Sequence, residues 1–269
     1  MNEDKIPCSV LMLTCNSAKY LEPALRSVQR FGEILVYDGN SEDNTVEIAK
    51  RFGAEVRKQY DTDEKSVKIK DFTELYLRQR EEAKYDWVFY FDSDECLSEG
   101  AVEEVAEIIK NSDNKTLIHF LRFPIINGRV CKHGAFFPEK HLRIHNRKGG
   151  CTLNENVLVH SKYVYDNSFH HVCVKNPMNT FIPSVLELIK KDDHYLILEI
   201  KRNIGRKWRE YLYWDVWRKF RSIISVIFHM VWNYLRHGFH DSVPICYELR
   251  TIRYHILYMW GMTKYMVGI

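Results

Sequence analysis

No two cysteines in this sequence have the Cys-x-x-Cys spacing, and the seven that occur, at 8, 15, 96, 131, 151, 173 and 246, are odd in number and scattered. That usage argues against a disulfide framework or a zinc site and fits a reducing compartment. A signal peptide is missing as well. Met-Asn-Glu-Asp-Lys is acidic and leads into a short apolar run ending at Thr14, with neither a basic n-region nor a long apolar core, so a cytosolic protein is expected. There is no internal repeat and no low-complexity segment. Hydrophobic residues at 45% and charged residues at 28% exclude intrinsic disorder and a polytopic membrane protein. The 269 residues suit one large α/β domain, or one domain with a helical extension.

Charge is unevenly shared. Residues 201–269 carry 12 Lys+Arg against 4 Asp+Glu, whereas residues 1–200 carry 27 against 32. Five of the six tryptophans, at 208, 214, 217, 232 and 260, lie in the same basic tail. Basic segments rich in Trp and Tyr suit a membrane interface. Nucleic acid is not the expected partner, because these aromatics alternate with Leu, Ile, Val and Met at helical spacing and lack the loops that splay bases.

The first hundred residues alternate strand and helix signals. Cys8 to Thr14 reads as a strand, followed by a helix striped with Tyr20, Leu21, Ala24, Leu25 and Val28 that ends near Gly32. Ile34 to Tyr37 is a second strand, then a helix bearing Val46, Ile48, Ala49 and Phe52 stops at Gly53, with Asp43 as a cap. Residues 55–58 give a third strand and residues 70–84 a helix. Trp87 to Phe91 is apolar throughout, as expected of a strand covered on both faces, and Ser98 with Glu99 and Glu103 opens another helix. Beyond residue 115 antiparallel strands take over, at Thr116 to Phe123 and Leu142 to His145, with a hairpin turn at Asn127-Gly128. From about 182 the chain is helical. Leu212, Val216, Phe220, Ile223, Ile227, Met230, Val231 and Tyr234 mark one long amphipathic helix, whose longest uncharged stretch, Ser222 to Leu235, is too short for the roughly 20 residues of a bilayer crossing. It should lie on a membrane.

Open parallel sheets bind ligands beyond the carboxyl ends of their strands. Three of those ends are polar here: Thr14-Cys-Asn16, Asp38-Gly-Asn-Ser41 and Asp92-Ser-Asp-Glu95. Asp-x-Asp occurs twice. The copy at Asp61 and Asp63 lacks an apolar strand before it and reads as a solvated turn. The copy at Asp92 and Asp94 follows the apolar strand, where neighbouring carboxylates repel unless a hard cation takes their oxygens, so Mg²⁺ or Mn²⁺ with a diphosphate ligand is expected.

Together, Ser9-Val-Leu-Met-Leu-Thr-Cys-Asn16, Ile34-Leu-Val-Tyr-Asp-Gly-Asn-Ser-Glu-Asp-Asn-Thr45 and Asp86-Trp-Val-Phe-Tyr-Phe-Asp-Ser-Asp-Glu95 resemble the successive signatures of family 2 glycosyltransferases. Among these the chain is most similar to small bacterial enzymes that build the lipopolysaccharide core, with Ser93 in place of the Ala of their Asp-Ala-Asp-Glu motif. Leu142-Arg-Ile-His145, Leu153-Asn-Glu155 and Tyr234 to Asp241 add to that likeness.

The resemblance implies a GT-A, Rossmann-like mixed sheet with helices on both faces, spanning 1–200, and a C-terminal amphipathic helical extension over 201–269. It implies an inverting transfer from a nucleoside diphosphate sugar, with UDP as the nucleotide, to a lipopolysaccharide or lipid-linked glycan. The protein would be peripheral on the anionic cytoplasmic membrane face. Thr14 and Asn16 would border the nucleotide, Asp38 would meet the base, Asp92 and Asp94 the metal, and Asp92 also the ribose. Arg143 would grip the diphosphate and Glu155 would act as base. His170 or His171 would stand where relatives carry a histidine near the metal. An Arg-Asn pair of many relatives falls on Tyr76-Leu77, leaving Arg78 or Arg80 as substitutes, and Asn154 replaces the histidine before Glu155. The alternatives are a nucleotidyltransferase, disfavoured by the absence of a Gly-rich, Lys-containing loop after strand one, and a non-catalytic nucleotide-sugar-binding protein.

Overall fold

The computed structural model describes residues 5–98, 100–154 and 163–268. It divides into two compact units, 1–122 with 139–181, and 123–138 with 182–269. The division groups the helix Val185–Asn203 with the C-terminal helices, so it falls earlier in the chain than position 200.

In the first unit, strands β1 (Ile6–Thr14), β2 (Phe31–Asp38), β3 (Glu55–Lys58) and β4 (Trp87–Tyr90) are parallel in the order β3-β2-β1-β4. Beyond β4 the sheet continues through β8 (Glu139–Asn146), β6 (Thr116–Ile126), β11 (His170–Phe181) and β5 (Glu95–Leu97), with the pairs β4–β8, β8–β6 and β11–β5 antiparallel. Strand alternation sends Cys8, Val10 and Met12 to one face and Leu11 and Leu13 to the other. Helices α1 (Ala18–Ser27), α2 (Thr45–Arg51) and α4 (Ala101–Asn111) cover the first face with Leu21, Leu25, Ala49, Val105 and Ile109. Leu75 of α3 (Phe72–Glu82) packs on the second. This is the mixed α/β sheet with helices on both faces expected of a GT-A fold. The strand order reverses between β1 and β4, which opens a crevice at their carboxyl ends.

Two local expectations need correction. Gly32 does not end α1, whose last residue is Ser27; it lies inside β2, where an added Cβ would come 2.5 Å from the Tyr85 ring. Ser98 does not cap α4: the cap is Gly100 at φ 79, and the Ser98 hydroxyl is buried without a partner among the described residues.

In the second unit the end of β6 and β7 (Arg129–Val130) form the hairpin, with Asn127 and Gly128 both at positive φ as a tight two-residue turn requires. Helix α5 (Val185–Asn203) opens with a reciprocal cap, in which the Ser184 hydroxyl accepts from Glu187 N and the Glu187 carboxylate accepts from Ser184 N at 2.8 Å. The helical run continues through α6 (Trp208–Glu210), a π-helical stretch (Tyr211–Trp217), α7 (Arg218–Asp241) and α8 (Ile245–Val267). Tyr211, Tyr258 and Met262 form its small core. Much of the expected apolar stripe is uncovered, with Leu212, Phe220, Ile227 and Val231 exposed while Val226 is buried. Among the described residues no helix is long and apolar enough to cross a membrane.

Candidate active site

The ends of β1 and β2 are joined by their side chains. Asp38 is buried, and its Oδ1 accepts from the Thr14 hydroxyl at 2.8 Å and the Ser41 hydroxyl at 2.6 Å, while Oδ2 accepts from Ser41 N at 2.8 Å. Thr14, Asp38 and Ser41 therefore form one polar corner. Asn16 braces it: its backbone N–H donates to the Ser41 hydroxyl, its Oδ1 accepts from Glu42 N and its amide donates to Ser66 Oγ, each at 2.8 Å. Asp43 accepts from Ala18 N at 3.1 Å and from Thr45 N at 3.0 Å, so it caps local backbone as its position suggested.

One residue that sequence reasoning passed over holds this corner together. The buried Gln59 amide donates to Thr14 O at 3.0 Å and Tyr37 O at 3.1 Å. The loop behind it docks so closely that a Cβ on Gly39 would lie 2.9 Å from Val67 O, which demands glycine there. Asp61 and Asp63 in that loop are exposed, in keeping with a solvated turn.

Beyond β4 the acidic turn has three different fates. Asp92 accepts from Arg143 at 2.9 Å and from the Tyr76 hydroxyl at 3.2 Å. Burial opposes its charge, yet Arg143 holds its pKa below the ordinary carboxylate range. Asp94 has no side-chain partner among the described residues, and burial followed by the Asp92 charge pushes its pKa up to about 6. Glu95 is fully buried; it accepts from Asp92 N at 3.1 Å, hydrogen-bonds Arg143 and lies 3.4 Å from Arg122. Burial lifts its pKa to about 7 against the pull of Arg143. Sequence reasoning gave Glu95 no role, although its place in the motif was the available signal.

Tyr76, Asp92, Arg122 and Arg143 border a cavity of about 380 Å³ that Phe72, Tyr90, His141, Leu142, Leu153 and Tyr163 also line. That volume is within the range of small-ligand sites. Tyr76 itself occupies the position of the missing Arg-Asn pair. Neither proposed substitute reaches Asp92: Arg78 stacks on Tyr37 and donates to Gln59 O, and Arg80 donates to Cys151 O and Thr152 Oγ1. Arg143 is committed to Asp92 and Glu95. His171 bonds His119 at 2.8 Å, and His170 is exposed. Glu155 lies outside the described residues.

The family model for glycosyl transferase family 2 matches residues 9–163, which hold all three polar strand ends. The chain belongs to this family. It is 25% identical over 214 residues, 77% of its length and 76% of the relative's, to the lipopolysaccharide core biosynthesis glycosyltransferase LpsC of Rhizobium meliloti. An uncharacterized glycosyltransferase of Rickettsia bellii is 28% identical over 166 residues, covering 59% of this chain and 52% of that protein. The chain thus spans about half the length of the Rickettsia relatives it matches. Among solved structures it is similar to Staphylococcus aureus TarS 1-349 in complex with UDP, at a TM-score of 0.47 and 15% identity over 97% of this chain and 92% of that one.

Proposed function

We propose that this family 2 chain moves a sugar from a nucleoside diphosphate donor, with uracil as its base, to a lipopolysaccharide or lipid-linked glycan, inverting the anomeric centre. The observation that carries this reading is the placement of Asp38 at the carboxyl end of β2 and of Asp92 and Asp94 just beyond that of β4, the two strands that flank β1. The acceptor class is supported by the likeness to LpsC.

A carboxylate offers about four acceptor positions. Asp38 uses three of them, leaving one on Oδ2 for an N–H of the base. Asp92 and Asp94 would hold Mg²⁺ or Mn²⁺, and the fit rests on Asp94, a half-buried acid beside a second acid with no side-chain partner among the described residues. Among the described residues no third His, Cys, Asp or Glu joins them as a metal-binding group, so diphosphate oxygens and water would complete the shell. Once bound, the ion supplies positive charge opposite the departing diphosphate. Arg143 and Tyr76 fix the Asp92 carboxylate, and Arg122 adds positive charge to the cavity wall. Glu155 is assigned the acceptor proton.

We also assign the C-terminal unit to the anionic cytoplasmic face of a membrane. Its basic charge accompanies exposed Trp208, Trp217, Phe228 and Leu235.

The test is thermal shift across a nucleotide-sugar panel, with and without Mn²⁺, followed by donor turnover. A ligand at 100 times its Kd stabilises the native state by about 2.7 kcal/mol. A metal-dependent shift with a UDP-sugar, and turnover abolished by Asp94→Asn, are expected. Turnover unchanged in excess EDTA would refute the metal assignment, and pyrophosphate release from a nucleoside triphosphate would refute sugar transfer.

A further inference from the structure

The C-terminal unit has a cavity of about 350 Å³ with Glu199, Arg206, Trp214, Asp215, Arg218 and Lys219 in its wall. Three cations face two acids. Both acids are already engaged: Glu199 lies 2.9 Å from Lys219 and accepts from the Tyr254 hydroxyl, and Asp215 bonds Arg206 and accepts from the Tyr258 hydroxyl at 2.7 Å. The second Asp215 oxygen is buried without a partner among the described residues. Arg218 has no carboxylate partner among the described residues. Its guanidinium instead sits over the Trp214 ring, 4.6 Å from the centroid, which orients it without neutralising it.

Trp214 and Asp215 belong to the π-helical stretch Tyr211–Trp217, a widened turn of the kind that accumulates at functional sites. An oriented, uncompensated guanidinium beside Lys219 and Arg206 suits a tetrahedral oxyanion, since guanidinium nitrogens grip phosphate oxygens in pairs. The Ser222 hydroxyl, also in the wall, is hydrogen-bonded to His255 Nε2 at 3.0 Å. A neutral sugar would leave the surplus positive charge unanswered.

We propose that this cavity binds a phosphate ester, with Arg218 as its principal contact, supplied by an anionic lipid headgroup or by a soluble phosphorylated compound. Only the lipid source rests on the membrane reading above.

The experiment uses the full-length protein, titrated with glycerol 3-phosphate and sedimented with phosphatidylglycerol vesicles. Wild type should bind at least one probe, and Arg218→Gln should weaken that binding by about tenfold or more. Arg221→Gln, one turn further along, exposed and outside the cavity, should cost no more than the roughly fivefold of any basic side chain near an anionic surface. Glu199→Gln removes a negative charge from the wall and should tighten binding, a gain that misfolding cannot produce. Capture of glycerol 3-phosphate identifies a soluble ester as sufficient, and capture of vesicles alone identifies the lipid. Binding of neither probe, equal losses for Arg218→Gln and Arg221→Gln, or weaker binding by Glu199→Gln overturns the proposal. Thermal shift with UDP should be unchanged in Arg218→Gln, and its absence in wild type would count against the donor reading and not against this cavity.

Discussion

Arg143 stands 2.9 Å from Asp92 and bonds the buried Glu95 through the same nitrogen, so one guanidinium restrains two acids of the turn after β4. The arrangement leaves Asp94 as the acid of that turn with no side-chain partner among the described residues. A single motif therefore contains one buried acid, one acid shared between Arg143 and Tyr76, and one with no side-chain partner among the described residues.

Arg143→Ala should destabilise the fold by about 3–5 kcal/mol, because it strands the Glu95 carboxylate in the interior. Urea unfolding measures the loss. Arg143→Ala combined with Glu95→Gln should recover part of it, since the uncompensated charge is then gone. An equal or larger loss in the double variant would show that packing, not charge, is what Arg143 contributes.

Asp38→Ala removes the acceptor of three hydrogen bonds, two of them from Ser41. Bonds to a charged acceptor are worth about 1.5–3 kcal/mol each to whichever state makes them. Nucleotide affinity, read by titration calorimetry, should fall by about tenfold or more. Unchanged affinity would remove Asp38 from the nucleotide site.

His145 makes the fold acid-sensitive. Burial lowers its pKa from 6.5 to about 3, and neither ring nitrogen has a hydrogen-bond partner among the described residues. The fold therefore accepts the neutral ring, whereas the unfolded chain takes up a proton as pH falls through 6.5. Its contribution is complete above that pH and declines toward pH 3, by up to about 1.4 kcal/mol per pH unit. His145→Leu should flatten the slope of unfolding free energy against pH over that interval. A parallel slope in the variant would assign the acid sensitivity to other groups.

Membrane attachment is better tested by point substitution than by deletion. Cutting at 205 would also strip partners from 123–138, because Lys132 N and His133 N donate to Asp241 O and Val243 N donates to His133 O. Trp217→Ala with Phe228→Ala removes two exposed side chains and leaves those bonds intact. Co-sedimentation with anionic vesicles should fall by about tenfold or more, given roughly 1.5–3 kcal/mol for burying each large apolar side chain. Undiminished sedimentation would dismiss this face as the contact.

Much of the first unit could be read from the chain alone. Apolar runs such as Trp87 to Phe91 specify buried strands, because a continuous hydrophobic segment is stable only when covered on both faces. The polar residues that close those strands then mark where a ligand crevice is expected, and Thr14, Asp38, Asp92 and Asp94 are proposed as site residues on that basis. Local chemistry also marked Asp43 as a cap and Asn127-Gly128 as a turn. Tertiary structure alone decided how the acids of one motif divide their roles, since the division depends on Arg143 and Arg122, which arrive from the distant strands β8 and β6. It likewise decided that Gln59 would hold two strand ends and that Tyr76 would reach Asp92, because a side chain's partner depends on which backbone folds against it and sequence spacing does not encode that.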